Sequence, residues 1–174
     1  MNTTISGFPK LPNDVQTYLE HIDTINAAEA RYNAYLDSFK SWLCEQVRFI
    51  NPKLIPHNVC RTYWQFSENK KWKKLDFHFE LTWKSNKELI YLTEKDEVNL
   101  VIHLEKSNQN AKDYFGKSGT LHTAKVIVNF SDEENSIKSL NTIISMTQSQ
   151  EFQKYAEKAN GYIKEHLNEH SEIK

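Results

Sequence analysis

Within the stretch from Trp72 to Lys84, apolar and polar residues alternate without interruption from Lys74 onwards, and this stretch constrains the fold more than any other part of the chain. Its apolar row is Leu75, Phe77, Phe79, Leu81 and Trp83, and its polar row is Lys74, Asp76, His78, Glu80, Thr82 and Lys84. Successive side chains of a strand point to opposite faces of a sheet. The stretch therefore predicts an antiparallel strand with the apolar row in a core and the polar row facing water or a partner.

Other predicted strands cluster with this one between two helical regions. The sequence predicts about four strands, over residues 60–67, 72–84, 97–105 and 121–130. Apolar residues recur at intervals of three and four on both sides of them, which predicts N-terminal and C-terminal helices. Helices segregated from strands indicate an α+β fold, with an antiparallel sheet covered on one face by these helices. The segment from Pro52 to Asn58 is predicted as a loop.

Composition is typical of a folded protein with one packed core. The chain has 174 residues, of which 39% are hydrophobic. We predict a single domain over residues 1–174, with an irregular arm at 1–11 and a frayed tail at 169–174. Cys44 and Cys60 are too few for a disulfide framework or a four-cysteine zinc site, so we expect two free thiols.

Charge and motifs narrow the class of function. The 22 basic and 23 acidic residues give a net charge of -1, so no overall field attracts nucleic acid or membrane. No apolar run approaches the ~20 residues that span a bilayer, and the first residues do not resemble a signal peptide. We expect a cytoplasmic protein. No phosphate loop, nucleophile elbow or HExxH motif is present, so the sequence predicts no cofactor and no catalytic residue.

Acidic and histidine side chains on the predicted polar face form the main candidate site. Asp76, His78 and Glu80 are two residues apart, which places them on one face at ~6.6 Å intervals. His103 and Glu105 repeat the pattern on another predicted strand. If these strands are neighbours, two imidazoles and three carboxylates converge on a surface of mixed charge. We expect this surface to bind a protein partner of complementary charge.

A metal-dependent enzyme is the alternative that uses the same face. Imidazole and carboxylate groups bind divalent ions and act as general acids and bases. The residues of such a hydrolase or nuclease-like site are Asp76, His78, Glu80 and His103. Ligands that follow one another on a single strand are too far apart to share one ion directly, which counts against this hypothesis. A restriction-type nuclease also needs a lysine two residues after its acid, whereas Lys84 is four residues after Glu80.

A basic hairpin gives a second alternative, a nucleic-acid-binding module. Its lysines are Lys70, Lys71, Lys73 and Lys74, and the aromatic residues around them include Tyr63, Trp64, Trp72 and Trp83. Lysines among exposed aromatic rings hold single-stranded nucleic acid through phosphate contacts and base stacking. However, strand alternation buries most of these rings, and lysines at a hairpin turn also protect a sheet edge from aggregation.

Taken together, the sequence favours a non-catalytic protein that binds another macromolecule, with a protein as the first choice of partner. Its size and helix–sheet–helix plan are similar to those of small bacterial and phage immunity proteins and inhibitors. That likeness is an analogy of size and architecture and rests on no shared motif.

Overall fold

The computed structural model describes residues 11–58, 62–83, 92–105 and 109–167. The described helices are α1 (Asn13–Glu20), α2 (Ile22–Ile50), α3 (Trp72–Leu75), α4 (Gln109–Phe115), α5 (Glu133–Thr147) and α6 (Gln150–His166). The described strands are β1 (Leu54–Asn58), β2 (Tyr63–Phe66), β3 (Phe77–Thr82), β4 (Asp96–Leu104) and β5 (Gly119–Val128). Residues 1–10 of the predicted arm and the whole predicted tail at 169–174 lie outside this description.

The chain divides into two compact units, Met1–Leu36 and Asp37–Lys174. The described part of the first unit consists of α1 and the beginning of α2. Its described side chains are exposed except for Leu36, which is buried, and Ile22, which is half-buried. The second unit holds the remainder of α2 and all the other elements, and its core lies between the sheet and the helices.

The five strands form one antiparallel sheet in the order β1-β2-β3-β4-β5, so each strand pairs with its neighbours in the chain. One sheet face packs against α4, α5, α6 and the part of α2 that belongs to the second unit. This arrangement confirms the predicted α+β fold with an antiparallel sheet and helices on both sides of it in the sequence. The predicted strands 97–105 and 121–130 correspond to β4 and β5, with ends displaced by one or two residues.

The sheet has one strand more than predicted, because β1 occupies the segment predicted as a loop. Leu54 pairs with Phe66 of β2, and its side chain is fully buried in the core. Pro56 concealed the strand in the sequence, since proline cannot donate to a strand ladder. The residue is tolerated here because β1 is at the edge of the sheet. The predicted strand 60–67 is shorter in the structure, where β2 is the four residues Tyr63–Phe66.

The first part of the predicted strand 72–84 is helical, which corrects the prediction there. Trp72 and Leu75 are three apart on α3, and both side chains are buried. The indole N–H of Trp72 donates a hydrogen bond to Oδ1 of Asn160 in α6 over 2.8 Å. Packing of this tryptophan against α6 outweighs the alternating pattern, and β3 begins only at Phe77. From Phe77 onwards the predicted inward row of Phe77, Phe79 and Leu81 is confirmed as core.

Cys44 is a free thiol that faces the core of the second unit. Burial raises the pKa of this thiol to about 12, which keeps it protonated and unreactive at neutral pH. Cys60 lies outside the described residues. Over the part of the chain that the structure describes, no helix has both the length and the apolar character needed to cross a bilayer.

Candidate metal centre

Five side chains meet on the sheet face opposite the helices, and we refer to them as the histidine cluster. Its members are His57, Asp76, His78, Glu80 and His103. They form two overlapping groups of three residues, which we call triples. In each triple, every residue offers one potential ligand atom, and these three atoms lie within 4.8 Å of one another. The first triple is His57, Asp76 and His78, and the second is His78, Glu80 and His103. His78 belongs to both triples.

His57 enters the cluster through an irregularity of β1. The register between β1 and β2 shifts between Pro56 and Asn58, so His57 is the extra residue of a β-bulge. A bulge bends the strand and re-aims the side chain of the extra residue. In this conformation Nε2 of His57 lies 3.2 Å from Oδ1 of Asp76. The bulge therefore supplies a third imidazole to a face on which the sequence predicted two.

Asp76 links α3 to β3 in a left-handed backbone conformation, with φ 54° and ψ 42°. Among the described residues it is the one non-glycine residue with a positive φ. Such a conformation costs roughly 1–3 kcal/mol, although aspartate tolerates it better than most residues. The same carboxylate oxygen that contacts His57 lies 3.6 Å from Nδ1 of His78. The strained residue thus places its carboxylate between two imidazoles.

The register of β3 and β4 brings the remaining members together. His78 pairs directly with His103, and their ring centroids are 5.4 Å apart. Glu80 lies two residues further along β3, with Oε2 3.9 Å from Nε2 of His78. Glu105 follows the end of β4, and its Oε1 is 3.5 Å from Nδ1 of His103. The sequence predicted that these side chains would converge if their two strands were neighbours. In the sheet, β3 and β4 are adjacent.

His78 is buried, contrary to the expectation of a polar row open to water. Its side chain is 1% exposed. Tyr63 of β2 stacks on the imidazole, and the two ring centroids are 4.6 Å apart. The ring centroid of His57 is 5.1 Å from that of His78. Strand alternation correctly assigns the face of His78 but does not reveal these neighbouring rings. Asp76 and Glu105 remain substantially exposed.

Several buried ring nitrogens of the cluster have no hydrogen-bond partner within the described structure. They are Nδ1 of His57, both nitrogens of His78 and Nδ1 of His103. Leaving a buried polar atom unsatisfied costs about 1–3 kcal/mol. Native proteins rarely accept several such penalties in one place unless a bound water or ion removes them. An additional bound group that pairs with these nitrogens would remove the penalty.

The electrostatics of His57 favour its neutral, ligand-competent form. Burial lowers the pKa of His57, and repulsion from His78 lowers it further. The hydrogen bond and negative charge of Asp76 act in the opposite direction, but burial is the largest effect. A neutral imidazole has a lone pair free to bind a cation, whereas an imidazolium does not.

The structure thus assembles four of the five predicted residues around His78, and it adds one that sequence reasoning missed. Asp76, His78, Glu80 and His103 are in the triples. Glu105 is outside them, with its carboxylate 3.5 Å from Nδ1 of His103 and its backbone N–H donating to the carbonyl of Asp76. The sequence signal for the missed His57 is weak, because a proline precedes it and its strand was predicted as a loop.

The basic hairpin has a different structure from the one that nucleic-acid binding would favour. Lys70 is in the turn before α3, and Lys73 and Lys74 are exposed on α3. Lys71 precedes them and is half-buried. Trp72 is buried against α6, so it presents no ring on which a base can stack. The lysines therefore form an exposed basic turn without a stacking platform from this tryptophan.

A cavity of about 320 Å³ lies beside the histidine cluster. Its lining includes Tyr63, Glu80 and Thr82, together with Asp37 and Lys40 of α2. Another cavity, of about 490 Å³, is lined by residues such as Trp72 and Asn160 and touches no member of the cluster. Glu80 is the member of the cluster that lines this smaller cavity.

Comparison with known proteins adds no assignment to this geometry. The chain matches no protein family model, and neither a curated protein nor a solved structure is significantly similar to it.

Proposed function

We propose that the protein binds a divalent transition-metal ion through the histidine cluster. The observation that carries this proposal is His78, which belongs to both triples and whose two buried ring nitrogens lack hydrogen-bond partners in the described structure. A cation coordinated by these nitrogens removes the penalty of each one that it binds. Water removes the same penalty less completely, because each water needs two to four polar partners of its own.

Distances in the first triple are compatible with coordination of one ion. Metal–ligand bonds of about 2.0–2.2 Å at tetrahedral angles place ligand atoms about 3.3–3.6 Å apart. The Asp76 oxygen is 3.2 Å from His57 and 3.6 Å from His78. Hydrogen bonds between nitrogen and oxygen are typically about 2.7–3.2 Å long. The first contact is a long hydrogen bond just below the ligand spacing of a tetrahedral ion, and the second exceeds hydrogen-bond length and matches that spacing.

The donor types select the class of ion. Imidazole ligands suit zinc, copper, iron, cobalt and nickel, whereas magnesium and calcium prefer sites made of oxygen ligands alone. His57, Asp76 and His78 offer two nitrogens and one oxygen. Three protein ligands leave the fourth tetrahedral position to water, as in hydrolytic zinc sites. Metal-assisted hydrolysis is accordingly the reaction class that we propose for any activity of this site.

Titration with Co²⁺ tests the metal site directly, because Co²⁺ bound by nitrogen and oxygen ligands in a tetrahedral site absorbs strongly in the visible range. We expect the chain to bind Co²⁺, and His57→Gln to weaken binding by a factor of at least ten. The control is His122→Gln. The side chain of His122 is 18% exposed, close to the 16% of His57, but it packs against α6 on the other sheet face. Equal affinities of the two variants would overturn the proposal.

A second candidate function, binding of a protein partner, is favoured by the first compact unit. Large apolar side chains are exposed along its described helices: Leu11, Val15, Tyr18, Leu19, Ile25, Tyr32 and Tyr35. Apolar groups exposed together in this way are typical of interaction surfaces. The same stretch, 11–36, carries four acidic residues, Asp14, Glu20, Asp23 and Glu29, against one basic residue, Arg31. We propose a protein partner with an apolar groove and a basic rim, since a second copy would bring acid against acid.

The partner hypothesis is tested by comparing two variants in co-purification from the native cell. The change Tyr18→Ser with Leu19→Ser should abolish capture of a basic protein, because it removes apolar area from the helix surface. His103→Gln, which alters the sheet face, should leave capture unchanged. Retention of the partner by the double variant, or dimers of the chain in light scattering, would contradict the hypothesis.

A further inference from the structure

We infer that the histidine cluster provides two cation positions that share His78, with one ring nitrogen directed to each. This inference rests on the proposed metal-binding function and makes it more specific. The first position is formed by His57, Asp76 and Nδ1 of His78. The second is formed by His103, Glu80 and Nε2 of His78.

The two nitrogens of His78 face different carboxylates. Nδ1 is 3.6 Å from Asp76, and Nε2 is 3.9 Å from Glu80. Nδ1 and Nε2 are on opposite sides of an imidazole ring, so one ion cannot bind both. The remaining imidazoles are divided in the same way, since His57 completes the triple on the Asp76 side and His103 completes the triple on the Glu80 side.

Burial of His78 is the second argument, because bulk solvent does not reach either of its ring nitrogens. The side chain is 1% exposed, and both of its nitrogens lack a hydrogen bond in the described structure. A single ion satisfies one nitrogen and leaves the other buried without a partner. Two ions satisfy both, which makes His78 a bridging ligand.

The proton balance of the bridge is simple. A neutral imidazole carries one N–H, and binding of the second ion displaces that proton to solvent. The imidazolate then donates one lone pair to each ion, and no electron is transferred. Its negative charge and those of Asp76 and Glu80 offset three of the four positive charges of two divalent ions. Glu105, with Oε1 3.5 Å from His103, supplies further negative charge on the second side.

The spacing of the ligands determines which of the two positions binds an ion first. On the Asp76 side the separations are 3.2 and 3.6 Å, close to the ligand spacing of a tetrahedral ion. On the Glu80 side the separation is 3.9 Å, so the ligands must approach one another before they hold an ion. The Asp76 side should therefore bind first and more tightly.

Equilibrium dialysis of the full chain against Zn²⁺, followed by elemental analysis, counts the positions. We expect two zinc ions per chain for the wild type and for His122→Gln, and one for either His57→Gln or His103→Gln. His78→Gln should retain none after gel filtration, because each side keeps only two protein ligands. Circular dichroism of each variant establishes that it is folded before its metal content is compared.

Electron paramagnetic resonance of bound Cu²⁺ tests whether the two ions share His78, which the number of bound ions alone does not test. One Cu²⁺ per chain should give an ordinary electron paramagnetic resonance signal, and a second should weaken it, because spins joined by an imidazolate couple. Two ions with additive signals would overturn the sharing of His78. One ion per chain would overturn the second position while leaving the proposed metal function intact, and no bound ion would overturn both.

Discussion

Co²⁺ at one hundred times its dissociation constant should raise the melting temperature of the protein by about 5–10 °C. A ligand that binds only the folded state at this excess adds about 2.7 kcal/mol of stability. For a chain of 174 residues, each kcal/mol corresponds to roughly 2–4 °C. Thermal unfolding followed by circular dichroism measures the shift, and addition of a chelator should reverse it.

The change His78→Gln should eliminate this stabilisation, because it removes the ligand common to both triples. His122→Gln should keep the full shift, since His122 lies on the opposite sheet face against Phe152 and Tyr155. Magnesium at the same concentration should have little effect, because a nitrogen-rich site is poorly matched to it. An equal shift with magnesium, or in His78→Gln, would show that the ion stabilises the fold elsewhere.

The change Phe79→Ala should lower the free energy of unfolding by about 3–5 kcal/mol, as expected for truncation of a fully buried phenylalanine. Phe79 has no exposed surface, and its ring contacts those of Phe66, Trp72 and Phe152 with centroids 5.3, 6.0 and 5.9 Å away. The surrounding elements cannot close around the lost volume, because the sheet and α6 hold them in place. Since folded domains are stable by only about 5–15 kcal/mol, this single change removes a large part of the total.

Urea denaturation measures this loss, and Ile137→Ala is the control. Ile137 is 49% exposed on α5, so its truncation should change stability by less than about 0.5 kcal/mol. The slope of the free energy against urea should be similar in both variants if the unfolded state is unchanged. A loss below about 1 kcal/mol for Phe79→Ala would indicate that the core is not packed around this ring.

The face assigned to each side chain of β3 and β4 was predictable from the sequence, because it follows from the two-residue period of a strand. Phe79 and Leu100 point to the core as predicted, and His78 and His103 share the other face. Their direct pairing was not predictable, since register depends on how the strands align over the core. The burial of His78 was also hidden, because it arises from the ring of Tyr63 on a third strand.

His57 escaped the pattern, and Asp76 was predicted at the site but in the wrong kind of element, because both residues occupy irregular backbone. His57 is in a bulge of a strand that contains proline, and Asp76 ends a helix that replaces the start of the predicted strand. The helix forms because Trp72 and Leu75 can both be buried when they are three residues apart on it. The periodicity of apolar residues predicts regular helices and strands. It does not predict a bulge or a helix end, and these irregular positions orient His57 and Asp76.

The position of β1 at the sheet edge bears on how fast an ion can be exchanged. β1 is paired on one side only, with β2, whereas β3 and β4 are each held by two neighbours. Edge elements open locally at a lower free energy than the core of a domain. Were an ion held in the first triple, opening of β1 would withdraw His57 from it while His78 and His103 stayed fixed on β3 and β4. An ion bound in the first triple would come and go at the opening rate of β1, a kinetic property that is independent of its affinity.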